Sequence, residues 1–479
     1  MPNLPIAQNS TKQKPPGGNS AAAPAPVSAS GLAARLGLFD ATMIVMGGII
    51  GSGIFINPYV VAEQVHTPAL ILGAWIAGGV IALGGAFIWA ELAATMPRVG
   101  GQYAYLREAY HPLLAFLYGW VLLLVIQTGG MAAVAVTFAK YFLQLAPMHV
   151  NEGILATLAL AILTGVNCLG VRAGSSVQSA LMVLKIVAIS ALVLFGMIFL
   201  AHRGAPVEAP AVVPALLDRP VSFGLLTAFG AALVPVLFSY GGWQTANFVA
   251  EEIREPRKNL PRALVIGVIG VILLYLSVNF VCVYVLGAAG LAGTTVPASA
   301  VMLVALGSKG ATLIAVGITI SALGFLSQSI LTAPRVYFAM AEDGLFFRSV
   351  AWLDPRRHVP VVAIAVQGVA AILIALSGRY DQILSYVVSM DFLFFGLTAT
   401  CVFAFRRRTV EERTDTREKF ARMPGHPVTT FLFVSVCWLV VINTIFKYPR
   451  NTAVGFGILL AGIPAYFFWA YQKKRSSAA

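Results

Sequence analysis

Charged side chains are scarce in this sequence: they make up 11 % of 479 residues, where a soluble globular domain carries roughly a quarter. With a mean hydropathy of +0.83 and a hydrophobic fraction of 58 %, that scarcity excludes most water-soluble architectures. Cysteine is equally sparse. Cys168, Cys282, Cys401 and Cys437 stand singly in apolar stretches and form no CxxC pair, so neither a disulfide framework nor a metal site is expected. The six histidines (His66, His111, His149, His202, His358 and His426) fall at helix ends or in loops, which argues against a haem-bearing membrane enzyme, and no cofactor is expected. No basic, aromatic-interleaved soluble domain is present, so the net charge of +13 does not signal nucleic-acid binding.

What the chain does contain is apolar stretches of the length a helix needs to cross about 30 Å of hydrocarbon. Twelve are expected, at 36–62, 68–95, 113–144, 153–171, 174–201, 222–250, 263–287, 310–341, 359–377, 381–405, 427–446 and 451–472. The fold class is therefore an all-α polytopic membrane protein. Residues 1–34, rich in Pro, Ala, Ser, Asn and Gly, have too little apolar surface to offset ordering entropy and read as a disordered tail. That tail lacks the apolar core of a secretory signal. The transporter-like domain covers 35–472, and 473–479 forms a short C-terminal tail. Loops on the side of the two termini hold 24 Lys and Arg against 7 opposite, with Lys185 left inside a stretch, so both termini are expected in the cytoplasm of a cell-membrane protein.

Two stretches carry helix breakers at mid-depth. The first holds Gly47-Gly48-Ile49-Ile50-Gly51-Ser52-Gly53, where each interior glycine costs about 1 kcal/mol relative to alanine. The sixth holds Pro235 and then Gly241-Gly242, within Phe238-Ser239-Tyr240-Gly241-Gly242-Trp243-Gln244. Small residues also serve close helix packing, but interruptions in the same ordinal place of two five-helix blocks point to an inverted-repeat transporter with its site between the breaks. Amides of Gly51, Ser52 and Gly53 would start a half-helix and attract an anion, while carbonyls of Ile49, Phe238 and Gly241 would end half-helices and attract a cation. An α-amino acid is the simplest ligand with both charges; betaines and small amines fit the same pair of ends.

The block Met46–Phe55, the run Glu91-Leu92-Ala93-Ala94-Thr95-Met96-Pro97-Arg98-Val99-Gly100-Gly101-Gln102-Tyr103, and Tyr240-Gly241-Gly242-Trp243 followed by Glu251-Glu252, Pro256 and Asn259-Leu260-Pro261 resemble the amino acid–polyamine–organocation superfamily. The chain looks most like its L-type amino-acid transporter branch over about residues 35–475. The resemblance implies five-plus-five inverted helices (repeats at 35–201 and 222–405) and two further helices at 427–472. It also implies a substrate carboxylate on Ser52 and Gly53, an ammonium on the carbonyls of Ile49, Phe238 and Gly241, an aromatic gate at Phe238, and a side-chain pocket shaped by Trp243 and Gln244. Many relatives carry Asn or Asp at position 244, so Gln244 is a departure that leaves the side-chain class open.

An ammonium at mid-membrane costs about 2.5–3.5 kcal/mol on insertion scales, so Lys185 should have partners. By resemblance it stands where sodium-coupled relatives bind an ion, touching the unwound part of helix one and a hydroxyl of helix eight, best matched by Ser321. Asp391, inside the tenth stretch, is a proton acceptor, a cavity partner or a boundary carboxylate. Glu91, Glu251 and Glu252 read as salt-bridge or gate residues, and Arg406-Arg407-Arg408 as a topology anchor that touches anionic lipid. The leading expectation is sodium-independent transport of neutral amino acids by alternating access, as an exchanger or uniporter. Proton-coupled amino-acid or polyamine symport, and a substrate-sensing receptor on the same scaffold, are the alternatives. A monomer in the lipid bilayer is expected, with no cysteine at 145–152 to hold a partner chain.

Overall fold

The computed structural model describes residues 31–202, 222–376, 380–412, 422–447 and 449–478. The expected N-terminal tail up to residue 30 lies outside them. In chain order the α-helices are α1 (Leu38–Ile49), α2 (Gly53–Val65), α3 (Pro68–Thr95), α4 (Gln102–Ala109), α5 (Pro112–Val121), α6 (Gln127–Leu145), α7 (Glu152–Cys168), α8 (Val171–His202) and α9 (Phe223–Tyr240). They continue as α10 (Pro256–Ala292), α11 (Pro297–Leu306), α12 (Ser308–Thr332), α13 (Pro334–Glu342), α14 (Val361–Leu376), α15 (Tyr380–Glu412), α16 (Val428–Lys447) and α17 (Pro449–Ala478). A π-turn, Leu122–Ile126, joins α5 to α6, and a 3₁₀ segment, Trp243–Glu252, follows α9.

Local chemistry starts these helices where the sequence changes character. Thr67 Oγ1 accepts from Leu70 N at 3.4 Å and Pro68 opens α3; Asn151 Oδ1 accepts from Gly153 N at 2.7 Å and opens α7. Ser222 Oγ does the same for α9, 3.2 Å from Leu225 N. Such side chains satisfy amides that have no partner within the helix. The described residues contain nine helices long and apolar enough to cross a membrane, or ten when the bent pair α1–α2 is one span. Three further apolar helices, α7, α11 and α14, are shorter. The polytopic all-α class therefore holds.

Two helices lie outside the twelve expected stretches. The first, α4, follows α3 through the turn at Gly100 and Gly101, and the second, α11, sits in the loop after α10. They are only 8 and 10 residues long, too short to register as spans. At the C-terminal end, α17 runs unbroken to Ala478, through most of the expected tail at 473–479. Its Trp469 ring stands 4.8 Å from Phe347, and the Lys473 stem lies along Gly344.

Buried apolar side chains form two clusters. The smaller joins α6, α7, α12 and α14 through residues such as Phe138, Leu160, Leu326 and Ile364. The larger contains α1, α2, α3, α9 and α10 and extends to α15 and α16. Helix α8 lies along α12 and also touches α1 and α10. The two broken elements belong to the larger cluster and face the smaller one.

Candidate functional site

The first break follows from Gly47–Gly53. Helix α1 stops at Ile49, Ile50 is extended (φ −76°, ψ 93°), and the chain resumes helix at Gly53, bent by 41°. The second follows from Gly241-Gly242. Gly241 is extended, Gly242 takes φ +112°, a conformation that favours glycine, and the chain continues as 3₁₀ helix. The breaks touch: a Cβ on Gly242 would lie 2.0 Å from the Gly48 carbonyl oxygen.

Backbone groups are left open here. Among the described residues, the amides of Gly51, Ser52 and Gly53 donate to nothing, and the Gly241 carbonyl accepts nothing. The other two expected carbonyls are engaged. Phe238 O accepts from Gly241 N at 3.2 Å, and Ile49 O accepts from the Tyr275 hydroxyl at 3.2 Å, which also stands 3.3 Å from Ser239 O. A buried hydroxyl thus ties the carbonyl ends of the two breaks together. Ile50, not singled out from sequence, supplies the carbonyl that accepts from Lys185 Nζ.

Lys185 is completely buried, so its ammonium needs that carbonyl. Its expected hydroxyl partner does not engage: Ser321 Oγ is buried and forms no hydrogen bond among the described residues, and Gly324, one turn further along α12, packs against Lys185 instead. Phe238 is half-buried. Trp243 is buried with its ring against α3 and α15, 6.1 Å from Trp89 and 5.3 Å from Phe395. Gln244 is buried with Oε1 unpartnered. Asp391 makes no hydrogen bond among the described residues; one turn on, Phe394 stacks edge-on against Tyr118 of α5 at 5.3 Å.

Away from the breaks, α2 and α9 are stapled by Asn57, whose Nδ2 donates to Ser239 Oγ (2.7 Å) and Pro235 O (3.0 Å). At the end nearer the termini, the 3₁₀ segment is fully packed. Arg35 N and Leu36 N both donate to Glu252 O at 2.9 Å, and Arg254 N donates to Leu36 O at 2.9 Å. The Glu252 carboxylate meets Arg335 through Nε at 2.6 Å and Nη2 at 3.1 Å, both side chains being wholly buried. Arg335 therefore does not sit in an exposed loop, and Glu252 pairs with it and not with the neighbouring basic run. Arg406 likewise grips Glu91 through two 2.7 Å bonds, and Met423 N donates to the same carboxylate at 2.8 Å. The triple-arginine run thus includes a specific internal pair as well as surface charge.

In the connection outside the membrane-spanning stretches, Arg107 pairs with Asp343, which also accepts from Tyr103 Oη at 2.6 Å. Burial, reinforced by the Asp343 charge, holds the Tyr103 hydroxyl well above its ordinary range. Burial works against the Arg107 charge, but the Asp343 hydrogen bond and charge, together with the charges of Tyr103 and Glu108, outweigh it and raise Arg107. His426, stacked 4.6 Å from Phe403 and 2.9 Å from Thr430 Oγ1, is lowered by burial and by the nearby Arg406 charge.

Sequence reasoning concentrated on charges and missed neutral polar groups: Tyr275, Asn57, Thr245, Gln178 and Gln328. The available signal was an amide or hydroxyl isolated in an apolar run, which must find a partner when buried.

A bundle of apolar helices, two of them broken side by side with open backbone groups at the joint, defines a multi-pass membrane carrier. A family model described as amino acid permease matches residues 36–469. The chain belongs to that family, and transport of amino acids across a membrane as a secondary carrier, without catalysis, is the function that membership brings. It is 29 % identical to the human large neutral amino acids transporter small subunit 2, over 97 % of this chain and 87 % of the relative. It is also 29 % identical to the serine/threonine exchanger SteT of Bacillus subtilis (94 % and 99 % covered) and to the human b(0,+)-type amino acid transporter 1 (92 % and 88 % covered).

Proposed function

We propose that this carrier is a sodium-independent exchanger of neutral L-amino acids from the L-type branch, working by alternating access. The observation that carries this reading is the pair of touching breaks, with open amides at Gly51, Ser52 and Gly53 and an open carbonyl at Gly241. Half-helix N-termini favour a carboxylate, and carbonyl ends favour an ammonium. Ser52 and Gly53 would hold the first and Gly241 the second, with Ile49 and Phe238 contributing what remains of their engaged carbonyls. Phe238 is the proposed gate and Gln244 a wall of the side-chain pocket; Trp243 would act by positioning the 3₁₀ segment. Lys185 places its amine donor on the Ile50 carbonyl, a position where a monovalent metal ion would otherwise be favoured, and this supports sodium independence. Relatives named for large neutral amino acids and for serine/threonine exchange support both the substrate class and the exchange mode.

The same reading includes twelve spans, counting α7 and α14, in five-plus-five inverted order with α16 and α17 added. It also includes cytoplasmic termini, from the Lys/Arg asymmetry, and a monomeric carrier in the cell membrane. Asp391 is a secondary coupling position and Ser321 a hydroxyl available to Lys185 in another state.

Proteoliposomes test it. Labelled neutral amino acid should enter only vesicles preloaded with substrate, equally well in sodium and in choline. Uptake into empty vesicles with internal acidification would instead show proton symport. If binding assays detect a betaine or polyamine but no α-amino acid, the substrate assignment is overturned.

A further inference from the structure

Two glutamines stand fully buried at the first break, one on each of two neighbouring helices: Gln178 on α8 and Gln328 on α12. Both approach Gly47: a Cβ there would lie 2.6 Å from Gln178 Nε2 and 3.4 Å from Gln328 Cγ. Each carboxamide commits its short bond to an element on the terminal side of a break. Gln178 Nε2 donates to Met43 O of α1 at 2.8 Å. Gln328 Nε2 donates to Thr245 Oγ1 of the 3₁₀ segment at 2.6 Å, and Thr245 Oγ1 in turn donates to Gly242 O at 2.8 Å. The carboxamide oxygens are held only weakly, by the adjacent Ser179 and Ser329 hydroxyls at 3.5 Å.

We infer that Gln178 and Gln328 are positioning residues that latch the carrier shut on the side of its termini, each tying one broken element to a helix that does not move with it. The inference rests on the alternating-access reading above. Opening that side requires α1 and the 3₁₀ segment to leave α8 and α12, and both short bonds span that boundary. Water entering an opened vestibule would take up the freed amides, so the latch favours the closed state without preventing opening. A buried neutral hydrogen bond is strong in place and cheap to exchange for water. Gly47 is required because a side chain there would push the Gln178 carboxamide away.

The expected behaviour of Gln178→Met and Gln328→Met, which keep the shape and lose the donor, is a redistribution toward the state open on the terminal side. In exchange assays on oriented proteoliposomes, the apparent KM on the terminal face should fall and that on the opposite face rise, the two fold-changes multiplying to roughly five, the ratio one such bond corresponds to. Thr245→Val removes the same Gln328 bond from the acceptor side and should behave alike, which keeps the test open if Gln328→Met does not fold. KM values that stay put, or that move together on both faces, would show that the carboxamides only fill space and would overturn the latch. Wild-type vesicles with no amino-acid flux would refute the transport reading itself, a result distinct from flux with an unmoved KM.

Discussion

Removing one partner of the Glu252–Arg335 pair should be among the most damaging single changes outside the breaks. Both side chains are wholly buried, and Arg335 Nη1 already lacks a partner. Arg335→Met would leave the Glu252 carboxylate desolvated with no counter-charge, a situation that costs about 3–5 kcal/mol. At the usual unfolding entropy of about 2.1 cal/mol/K per residue, a chain of this length loses about 1 °C of melting temperature per kcal/mol. Arg335→Met and Glu252→Gln should therefore each melt about 3–5 °C lower in detergent. The double variant, having no buried charge, should lie closer to wild type than the sum of the two losses. The physical claim is that coupling, and a double-mutant cycle reads it directly. An Arg335→Met variant melting within about 1 °C of wild type, or a double variant showing the full sum, would refute the reasoning.

Gly242→Ala should abolish transport, because its Cβ would meet the Gly48 carbonyl at 2.0 Å on a backbone with φ +112°; wild-type exchange rates in this variant would mean the breaks do not touch in the working protein. Lys185→Met should raise the apparent KM at least tenfold while leaving the protein folded, since it removes the donor to Ile50 O but not the packing; an unchanged rate and KM would remove Lys185 from the site. His426 is held below its ordinary value of 6.5, so the folded protein binds fewer protons than the unfolded chain as pH falls below that value. Stability present above 6.5 is therefore lost as pH drops through the window beneath it. Melting curves of His426→Gln should be flatter there than wild type, and an equal acid slope in both would show that another group titrates.

The long features were legible before any coordinates. Apolar runs located the long helices, because crossing the hydrocarbon sets a minimum apolar length; polar extensions at their ends, such as the start of α10 at Pro256 and the end of α15 at Glu412, were not marked by hydropathy. Glycines marked both breaks, because an unpaired backbone needs residues that tolerate odd dihedrals. What stayed hidden was pairing. Nothing in the run of residues around Glu252 says that its partner is Arg335, 83 positions away, and not the adjacent Arg254, Arg257 or Lys258. The Lys185 partner was legible as a type, a carbonyl of the first break, but its identity as Ile50 depends on where α1 stops. Ser321 makes no bond to Lys185 in this structure because it is offset by about a turn along α12: Gly324, three residues on and on the same face, is the residue beside the lysine. Trp243 belongs to an aromatic contact with Trp89 and Phe395 that only tertiary packing creates.

That aromatic contact has a practical side. Of the seven tryptophans in the chain, Trp243 follows the second break directly and meets Trp89 edge-on. Any rearrangement of the 3₁₀ segment changes the angle and separation of these two indoles, and with them their emission. The protein thus carries a native optical reporter beside its second break, and substrate-dependent fluorescence can be recorded on unlabelled protein, with Trp243→Phe, which keeps the other tryptophans, as the control.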